Sequence, residues 1–336
     1  MDLIQYRQAV DQELRIQIGS DPSGYYDMMR YHMGWSDVSG KQVKGDSGKL
    51  IRPVLCLLSC QAVGGTWEKA LPAAAAIELV HNFSLIHDDI EDSSRYRRHR
   101  RTVWDIWGQA QAINAGDGMY TLSRLGATRL AERGHNPQKV LDFIRLLDET
   151  CLALCEGQYS DMSFETRYDV SVDEYMDMIS KKTADLISCS MKAGAMLGTD
   201  SKSLVKDMGS FGFNMGMAFQ IQDDILGIWG AEDKTGKSSS DIAQKKKSLP
   251  VVYALQSKKS ECKNVIRSVY DREQIDAAHE KKVVAVLDDI GAADYCERLA
   301  LKYYDDAVKV IESVRIDDAV REELLNIASF IVKRDY

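Results

Sequence analysis

Proline is scarce in this chain and widely spaced. The 336-residue sequence contains five prolines, at positions 22, 53, 72, 137 and 250. Because proline is the strongest interrupter of helices, the long intervals between them leave room for uninterrupted helical segments. The sequence also offers no convincing run of alternating apolar and polar residues, the pattern typical of half-buried strands. It therefore predicts an all-α fold without strands.

Several of these intervals carry apolar residues at the spacing of one helical face. In the segment 140–162, apolar residues recur at positions 140, 141, 144, 147, 151, 152 and 155. Patterns of this kind predict helices over residues 73–90, 140–162, 175–197, 205–228, 292–313 and 318–332.

The segments that interrupt these helices are short and polar. They cover residues 41–49, 92–101 and 230–248, and apolar helical sequence resumes soon after each of them. None has the change of composition that marks a domain linker. We therefore expect residues 1–336 to form a single domain.

Composition limits what this chain can bind. With 45% hydrophobic and 28% charged residues it can bury a core, and its formal net charge of −8 provides no broad basic surface for nucleic acid. The N-terminus lacks the features of a signal peptide, and no run approaches the roughly 18 apolar residues of a membrane span. We therefore expect a cytoplasmic protein with no membrane span and no nucleic-acid partner. The seven cysteines contain no C-x-x-C pair, which predicts reduced core thiols.

The first candidate site is a cluster of carboxylates at Asp88, Asp89 and Asp92. On a helix, residues 88 and 92 lie one turn apart on the same face, with Asp89 beside them. Like charges at this spacing repel by a few tenths of a kcal/mol, so the arrangement gains stability only when a cation binds. Hard carboxylate oxygens in this pattern suit Mg²⁺. The ordinary alternative is a solvated acidic face.

A second pair of aspartates, Asp223 and Asp224, lies near the end of the largely apolar segment 205–228. Buried carboxylates cost several kcal/mol each unless a metal ion or a cation compensates them. The following loop offers two candidate cations, Lys237 and Lys246. It also contains a third acid, Asp241. The alternative for this segment is an acidic helix end beside a basic surface loop.

Three basic elements accompany the acidic motifs. They are the runs 48–53 (GKLIRP), 95–101 (RYRRHRR) and 181–183 (KKT). Arginine matches phosphate oxygens in bidentate geometry and lysine adds positive charge, so adjoining acidic and basic clusters indicate a metal-bridged diphosphate. A P-loop is excluded, because the segment 230–237 (GAEDKTGK) has neither the required spacing nor a preceding strand.

Taken in order along the chain, these motifs resemble those of the trans-type isoprenyl diphosphate synthases, the polyprenyl synthetase family. The matching patterns are GKxxRP at 48–53, HxxSLxHDDxxD at 81–92, RRxxxT at 97–102, GQxxD at 157–161, KKT at 181–183, FQxxDD at 219–224 and GKxxxD at 236–241. The resemblance implies a bundle of antiparallel helices around a deep central cavity, with the two acidic motifs facing each other across its mouth. It also implies a homodimer.

The resemblance assigns a role to each matching residue. It implies three Mg²⁺ ions per active site, with Mn²⁺ as an alternative ion. Their implied ligands are Asp88, Asp89, Asp92 and Asp223, with Asp224 and Asp241 as supporting acids of the metal site. The implied contacts to an allylic diphosphate are Arg97, Lys182 and Lys237, and Lys246 is a further substrate-binding candidate. The implied pocket for isopentenyl diphosphate contains Lys49, Arg52, His81 and Arg98.

The implied reaction is ionisation of the allylic diphosphate, attack by the double bond of isopentenyl diphosphate, and elimination of a proton. Metal and cationic side chains make diphosphate a better leaving group, and preorganised oxygen dipoles stabilise the allylic cation. Thr183 and Gln220 are the implied source of those dipoles near the reacting carbons. The residues assigned to catalysis are therefore Lys182, Thr183, Gln220 and Lys237.

The chain departs from the family pattern at two points. The second acidic motif of the family often closes with a third aspartate, where this chain has Gly227. The usual glycine and proline of the RRGxPT pattern are replaced by His99 and Arg101. We expect two carboxylates on the second wall, a more cationic loop, and retained activity.

Product length is argued from helical geometry. Residues four and five positions before Asp88 lie about 6 to 7.5 Å deeper along the same helix. They are Ser84 and Phe83, one small and one bulky. This combination resembles family members that make geranylgeranyl diphosphate (C20) more than those that stop at farnesyl diphosphate (C15).

Two alternatives stay open beside a Mg²⁺-dependent trans-prenyltransferase. The first is a terpene cyclase on the same fold, which also needs acidic metal motifs. Lys49, Arg52 and His81 argue against it, because a cyclase has no second diphosphate to hold. The second is a catalytically silent subunit of a heteromeric synthase, and the retention of every lysine and arginine position argues against that.

Overall fold

The computed structural model describes residues 3–21, 23–43, 48–230 and 241–332, and nearly all regular structure in this part of the chain is helical. The helices are α1 (Leu3–Ile18), α2 (Gly24–His32), α3 (Ile51–Ala62), α4 (Leu71–Glu91), α5 (Val103–Trp107), α6 (Gln109–Thr128), α7 (Pro137–Phe164), α8 (Val172–Ile179), α9 (Asp185–Gly198), α10 (Lys202–Trp229), α11 (Leu249–Gln256), α12 (Ser260–Tyr270), α13 (Ala277–Asp289), α14 (Ala292–Ser313) and α15 (Asp318–Val332). A 3₁₀ turn covers Trp67–Ala70. The predicted all-α fold class is confirmed.

The predicted helix bounds agree with the structure where the apolar pattern is long. The segments 292–313 and 318–332 are α14 and α15, and the segment 73–90 lies within α4. The predicted helix 175–197 is instead divided into α8 and α9 by a π-helical turn, Ser180–Ala184. A π turn contains one extra residue, and a five-residue polar run gives no periodic signal of it.

A short antiparallel ribbon lies in the charged segment 92–101, so the prediction of no strands was wrong there. Strand β1 (Tyr96–Arg97) pairs with strand β2 (Arg100–Arg101). Arg98 and His99 form the turn between them with positive φ angles of 50° and 60°, as tight hairpin turns require. Strands of two residues are too short to show an alternating pattern in the sequence.

The described residues form two compact units. Unit 1 contains those of Met1–Cys151, Cys189–Met208 and Ile316–Arg321, and unit 2 contains those of Leu152–Ser188, Gly209–Arg315 and Glu322–Tyr336. The single-domain organisation stays a prediction. In the described part of the chain, no helix has the length and apolar character needed to cross a membrane.

The core of unit 1 is built around α4. Four consecutive alanines, residues 73–76, are completely buried, and α4 packs along α6 with α1 and α3 beside it. Small side chains at such contacts allow neighbouring helix axes to approach closely. This packing fixes the C-terminal end of α4, where the first acidic motif lies.

The core of unit 2 joins α8, α10, α11 and α14. Met178, Ile221, Leu249 and Ala300 contribute one buried side chain from each helix. A second buried residue of α10, Ile225, belongs to the same cluster. The second acidic motif lies between these two isoleucines, so the core sets the direction of its side chains.

Six of the seven cysteines are buried, as expected of core thiols, but Cys155 is exposed. It lies on α7, where its neighbours Leu152 and Tyr159 on the same face are also exposed. The core prediction was wrong for Cys155 because α7 carries apolar residues on its outward face as well as on its buried face.

Candidate functional site

The first acidic motif lies at the C-terminal end of α4 in unit 1. Asp88 is partly buried in the last turn, and Asp92 is exposed directly after the helix. The Asp92 backbone N–H donates to the Asp88 carbonyl oxygen at 2.8 Å. Asp88 and Asp92 therefore lie one turn apart, as the spacing predicts.

Asp89 points inward. Its side chain is 2% exposed, and the Arg97 guanidinium donates to its Oδ1 at 2.9 Å. Burial raises the pKa of Asp89 to about 6, and the Arg97 charge opposes that rise. In the structure Asp89 pairs with Arg97, and its place among the metal ligands stays a prediction.

The donor chemistry of this end of α4 fits a Mg²⁺ ion that is shared with a bound phosphate. Within the described ranges, no group of three or more His, Cys, Asp or Glu side chains is arranged to hold a metal on its own. Mg²⁺ is commonly held by one or two carboxylates together with substrate phosphates. Asp88 and Asp92 offer such carboxylates, and the negative end of the helix dipole also favours a cation.

A basic pair lies between α3 and α4. Arg52 Nη1 is 3.3 Å from His81 Nε2, and both side chains are partly buried. Burial, Arg52 and Arg98 hold the pKa of His81 far below its ordinary value, so the neutral imidazole accepts this hydrogen bond. The buried Nε of Arg52 has no hydrogen-bond partner among the described residues, as expected of a donor that awaits an anion.

Arg98 and the loop before α3 approach each other closely. Gly48 has a φ angle of 85°, and a Cβ at this position would lie 2.8 Å from the Arg98 guanidinium. The positive φ angle favours glycine here, and a larger residue would also displace the Arg98 guanidinium. The next residue, Lys49, is exposed. The structure thus brings Lys49, Arg52, His81 and Arg98 to one region of unit 1.

A cavity of about 280 Å³ lies beside the β1–β2 ribbon. Its lining residues are mostly basic: Tyr31, His32, Gly34, Asp89, Arg97, Arg98, His99, Arg100, Arg101, Thr102 and Val103. Arg100 is locked in place, since it donates to the Tyr31 and Ser36 carbonyl oxygens at 3.0 and 2.7 Å. The charge of this cavity suits a phosphate-bearing ligand.

A buried carboxyl that the sequence did not single out lies below the basic pair. Glu78 is 3% exposed, and the Asn82 side chain donates to its Oε1 at 2.9 Å. Burial raises the pKa of Glu78 to about 7, while the charge of Arg52 lowers it. Its signal in the sequence is weak, because one glutamate in an alanine-rich helix resembles an ordinary surface residue.

Phe83 and Ser84 are both buried on α4. The Phe83 ring packs edge-to-face against Tyr120 of α6, with centroids 5.3 Å apart, and against His87 at 5.7 Å. The Ser84 hydroxyl donates to the His81 carbonyl oxygen. Sequence reasoning missed Tyr120, because nothing along the chain links it to residue 83.

In unit 2 the inner aspartate of the second acidic motif is fully engaged. Asp224 is 4% exposed. Its Oδ2 accepts from Tyr175 Oη at 2.7 Å and from the Leu249 backbone N–H at 3.1 Å, and its Oδ1 accepts from Gln220 Nε2 at 2.9 Å. Burial raises its pKa to about 7. Asp223, one residue earlier, is only partly buried.

Gly227 stands where the family pattern often has a third aspartate, and it lies against Asp241. The Asp241 backbone N–H donates to the Gly227 carbonyl oxygen at 3.0 Å. A Cβ at position 227 would overlap the Asp241 carboxylate, which is itself buried. A carboxylate from the following loop therefore lies beside the residue where the family often has its third aspartate.

The π-helical turn Ser180–Ala184 carries Lys182 and Thr183. Lys182 Nζ lies 2.5 Å from Asp161 Oδ2, so the GQxxD motif supplies its acidic partner. Thr183 Oγ1 lies 2.7 Å from Gln220 Oε1. A π turn inside a helix is frequently a functional position, and here it joins three of the sequence motifs.

The remaining predicted residues are lysines of the loop 230–248. Lys237 lies outside the described residues. Lys246 is exposed, and its backbone carbonyl accepts from the Tyr270 hydroxyl at 3.0 Å. Its neighbour Lys247 is buried and donates to the Phe164 carbonyl oxygen at 3.0 Å.

Comparison with known proteins gives the relatives of this chain. The family model described as Polyprenyl synthetase matches residues 36–287. A (2E,6E)-farnesyl diphosphate synthase of Mycobacterium tuberculosis is 36% identical over 311 residues, covering 91% of this chain and 85% of that protein. A geranylgeranyl diphosphate synthase of Methanosarcina mazei is 36% identical over 290 residues, covering 86% of each. The solved structure of a polyprenyl synthetase from Streptomyces coelicolor has a TM-score of 0.90 at 34% identity and covers 97% of both chains.

Proposed function

The chain belongs to the polyprenyl synthetase family, and on that basis we propose that it condenses isopentenyl diphosphate with an allylic diphosphate into a trans-polyprenyl diphosphate. The observation that carries this proposal is the basic region of Lys49, Arg52, His81 and Arg98 in unit 1. It adds cationic side chains from α3 and from the segments beside the acidic motif, and so suits a second diphosphate. A terpene cyclase has no use for such a region.

In unit 1 we assign Asp88, Asp89 and Asp92 to the metal site and Arg97 to the allylic diphosphate. Bound Mg²⁺ would neutralise the diphosphate and so make it a better leaving group. Asp89 orients Arg97 through their 2.9 Å ion pair. We assign Arg52 to isopentenyl diphosphate, because its Nη1 donates to His81 and its buried Nε has no partner among the described residues.

In unit 2 we assign Asp223 to the metal site, with Asp224 and Asp241 as supporting acids. Lys182, paired with Asp161, contacts the leaving diphosphate, as Lys237 and Lys246 do. Thr183 and Gln220 present oxygen dipoles to the allylic cation. The diphosphate that leaves accepts the proton in the last step.

We propose a short-chain product, geranylgeranyl or farnesyl diphosphate. A relative named for each product is 36% identical to this chain. If the growing tail runs along α4, Phe83→Ala should open the space of an aromatic ring and lengthen the product. If Phe83 is only a core residue against Tyr120, the same change should cost about 3 to 5 kcal/mol of stability and leave the product unchanged. Product sizing and thermal melting of the same variant decide between them.

We further propose a cytoplasmic homodimer. The exposed side chains of Leu152, Tyr159 and Met162 on α7 support a second copy as the partner, since clustered apolar residues on a surface often mark protein interfaces. Sedimentation of the purified chain tests this assembly directly.

The test of the reaction uses the purified chain with radiolabelled isopentenyl diphosphate and, in turn, dimethylallyl, geranyl and farnesyl diphosphate. We expect a product whose prenyl chain is longer than that of the primer, and we expect its formation to require Mg²⁺. Removal of Mg²⁺ with a chelator should abolish turnover and leave the helical circular dichroism unchanged, because the core is formed by apolar helix packing.

The alternatives give different results in the same assay. A cyclase would convert the allylic diphosphate to a hydrocarbon without consuming isopentenyl diphosphate. A silent subunit would show no turnover alone with any primer. Either outcome would replace the proposed function.

A further inference from the structure

Tyr175 of α8 is buried in unit 2, and its hydroxyl contacts the second acidic motif. Tyr175 Oη donates to Asp224 Oδ2 at 2.7 Å, and the two side chains are 5% and 4% exposed. A capping box of Ser171 and Glu174 fixes the start of α8, one turn before Tyr175. Burial and the neighbouring Asp224 raise the pKa of Tyr175 well above its ordinary value. In this contact the hydroxyl is the donor, because a carboxylate oxygen accepts.

Asp224 sets the orientation of the Gln220 amide. Asp224 is placed as an acceptor, because the Tyr175 hydroxyl and the Leu249 backbone N–H both donate to its Oδ2, and a carboxylate only accepts hydrogen bonds. Gln220 Nε2 donates to Asp224 Oδ1 at 2.9 Å, so the amide must present its NH₂ group to Asp224 and its carbonyl oxygen to the opposite side. The bonds from Tyr175 and from the Leu249 backbone N–H hold the carboxylate in this position.

The Gln220 carbonyl oxygen in turn sets the orientation of the Thr183 hydroxyl. Thr183 Oγ1 lies 2.7 Å from Gln220 Oε1. Because an amide oxygen only accepts, the Thr183 hydroxyl is the donor of this bond and its lone pairs point away from Gln220. The hydrogen bonds thus fix the negative end of the Thr183 dipole.

We propose that Tyr175 is a positioning residue that acts through Asp224 and Gln220 to hold the Thr183 oxygen as a fixed dipole for the allylic cation. This inference rests on the proposed function. It also makes Asp224 a buried acceptor for protein donors rather than a direct ligand of the metal. A dipole that acts on developing charge contributes in the transition state, so its loss lowers kcat more than it raises KM.

The variant Tyr175→Phe removes the hydroxyl and keeps the ring. Tyr168→Phe is its matched control, because Tyr168 Oη donates to Asp271 Oδ1 at the same distance of 2.7 Å in the same unit. For both variants we would measure kcat, the KM of each diphosphate, the Mg²⁺ concentration that gives half-maximal rate, and the melting temperature.

We expect Tyr175→Phe to lower kcat about tenfold, the scale of one hydrogen bond to a charged group. Both KM values and the half-maximal Mg²⁺ concentration should stay within about twofold of wild type, as a transition-state effect requires. The control should keep the wild-type kcat. If Tyr175→Phe melts below the assay temperature, Asp224→Asn tests the same series of bonds, with the same unchanged Mg²⁺ requirement.

Two outcomes would overturn the positioning role while the proposed function stands. One is a kcat of Tyr175→Phe equal to that of the control. The other is a loss of rate that higher Mg²⁺ restores, which would make Asp224 part of the metal site. A wild-type chain that forms no prenyl product would instead overturn the proposed function, and the positioning role with it.

Discussion

The two acidic motifs use adjacent aspartates in different surroundings. In the first motif, the buried Asp89 pairs with a cation, the guanidinium of Arg97, at 2.9 Å. In the second, the donors to the buried Asp224 within the described ranges are all neutral: Tyr175, Gln220 and the Leu249 backbone N–H. Burial raises the pKa of both, to about 6 for Asp89 and about 7 for Asp224. Their neighbours Asp88 and Asp223 are less buried.

The difference lies in what each inner aspartate can do when a ligand binds. Arg97 can contact a phosphate and Asp89 at the same time, since a guanidinium has five N–H donors. In the first motif, Asp89 is therefore coupled to the ligand through Arg97. The donors of Asp224 belong to the protein core and to Gln220, so the second motif is arranged before the ligand arrives.

The largest effect is expected from the less buried aspartates. Asp88→Ala or Asp223→Ala removes a carboxylate that acts when charge separates, so kcat should fall at least ~10²-fold. Steady-state kinetics measures this, with Asp142→Ala on the exposed face of α7 as the control. Rates within about threefold of wild type for either variant would contradict the assignment of that aspartate to the metal site.

The next effect concerns the basic region that is found beside the first motif. Arg52→Lys keeps the charge but loses the planar fork that contacts His81. The KM of isopentenyl diphosphate should rise about tenfold, on the scale of a lost charge-assisted hydrogen bond, while the KM of the allylic diphosphate serves as the internal control. An equal rise in both KM values would show that Arg52 does not discriminate between the two diphosphates.

A third effect concerns the contact between Gly227 of the second motif and the Asp241 carboxylate. Gly227→Ala places a Cβ against the Asp241 carboxylate, and we expect a loss of about 1–3 kcal/mol of stability, as for other overpacked sites. Gly24→Ala is the control, because open space surrounds that glycine. Adding Asp241→Ala should recover part of the loss, since the two positions are in contact. Additive melting shifts in the double variant would contradict this contact.

The sequence predicts those parts of the fold that repeat. The apolar periodicity of α14 and α15 extends over four turns or more, and their bounds were predicted correctly. The π turn at 180–184 and the ribbon at 96–101 each involve only a few residues, so local patterns carry no signal for them. Both carry candidate site residues, which indicates that these irregular elements serve the site rather than the core.

In the candidate site, too, the sequence predicts one part and leaves another part unpredicted. Motif order along the chain was enough to select Asp88, Arg52, Lys182 and Gln220 for a role, and these assignments stay predictions. The pairing of Lys182 with Asp161, of Arg52 with Glu78 and of Asp224 with Tyr175 was not predicted, because contacts between helices define it. A sequence shows which side chains are present, whereas burial and hydrogen bonding decide that Asp224 differs from Asp223.

The smallest effect is the pH dependence of stability that comes from Glu78, the buried carboxyl of unit 1. The pKa of Glu78 is raised from 4.5 to about 7 by burial. Between these values the folded chain holds a proton that the unfolded chain has lost, so the free energy of unfolding falls as pH rises through this window. Glu78→Gln cannot lose a proton. The free energy of unfolding of the variant should therefore be close to that of wild type near pH 4.5. At pH 8 it should exceed that of wild type by on the order of 1 kcal/mol.

Thermal melting across this pH range measures the effect, and Glu149→Gln on the exposed face of α7 is the control. His32 and His81 change stability in the opposite direction, because burial lowers their pKa values and acid then favours the unfolded chain. Both histidines are present in wild type and variant, so their contribution cancels in the difference. Parallel melting curves for Glu78→Gln and wild type would mean that Arg52 keeps Glu78 ionised throughout. Glu78 would then resemble Asp89, a carboxylate held by a cation, instead of Asp224.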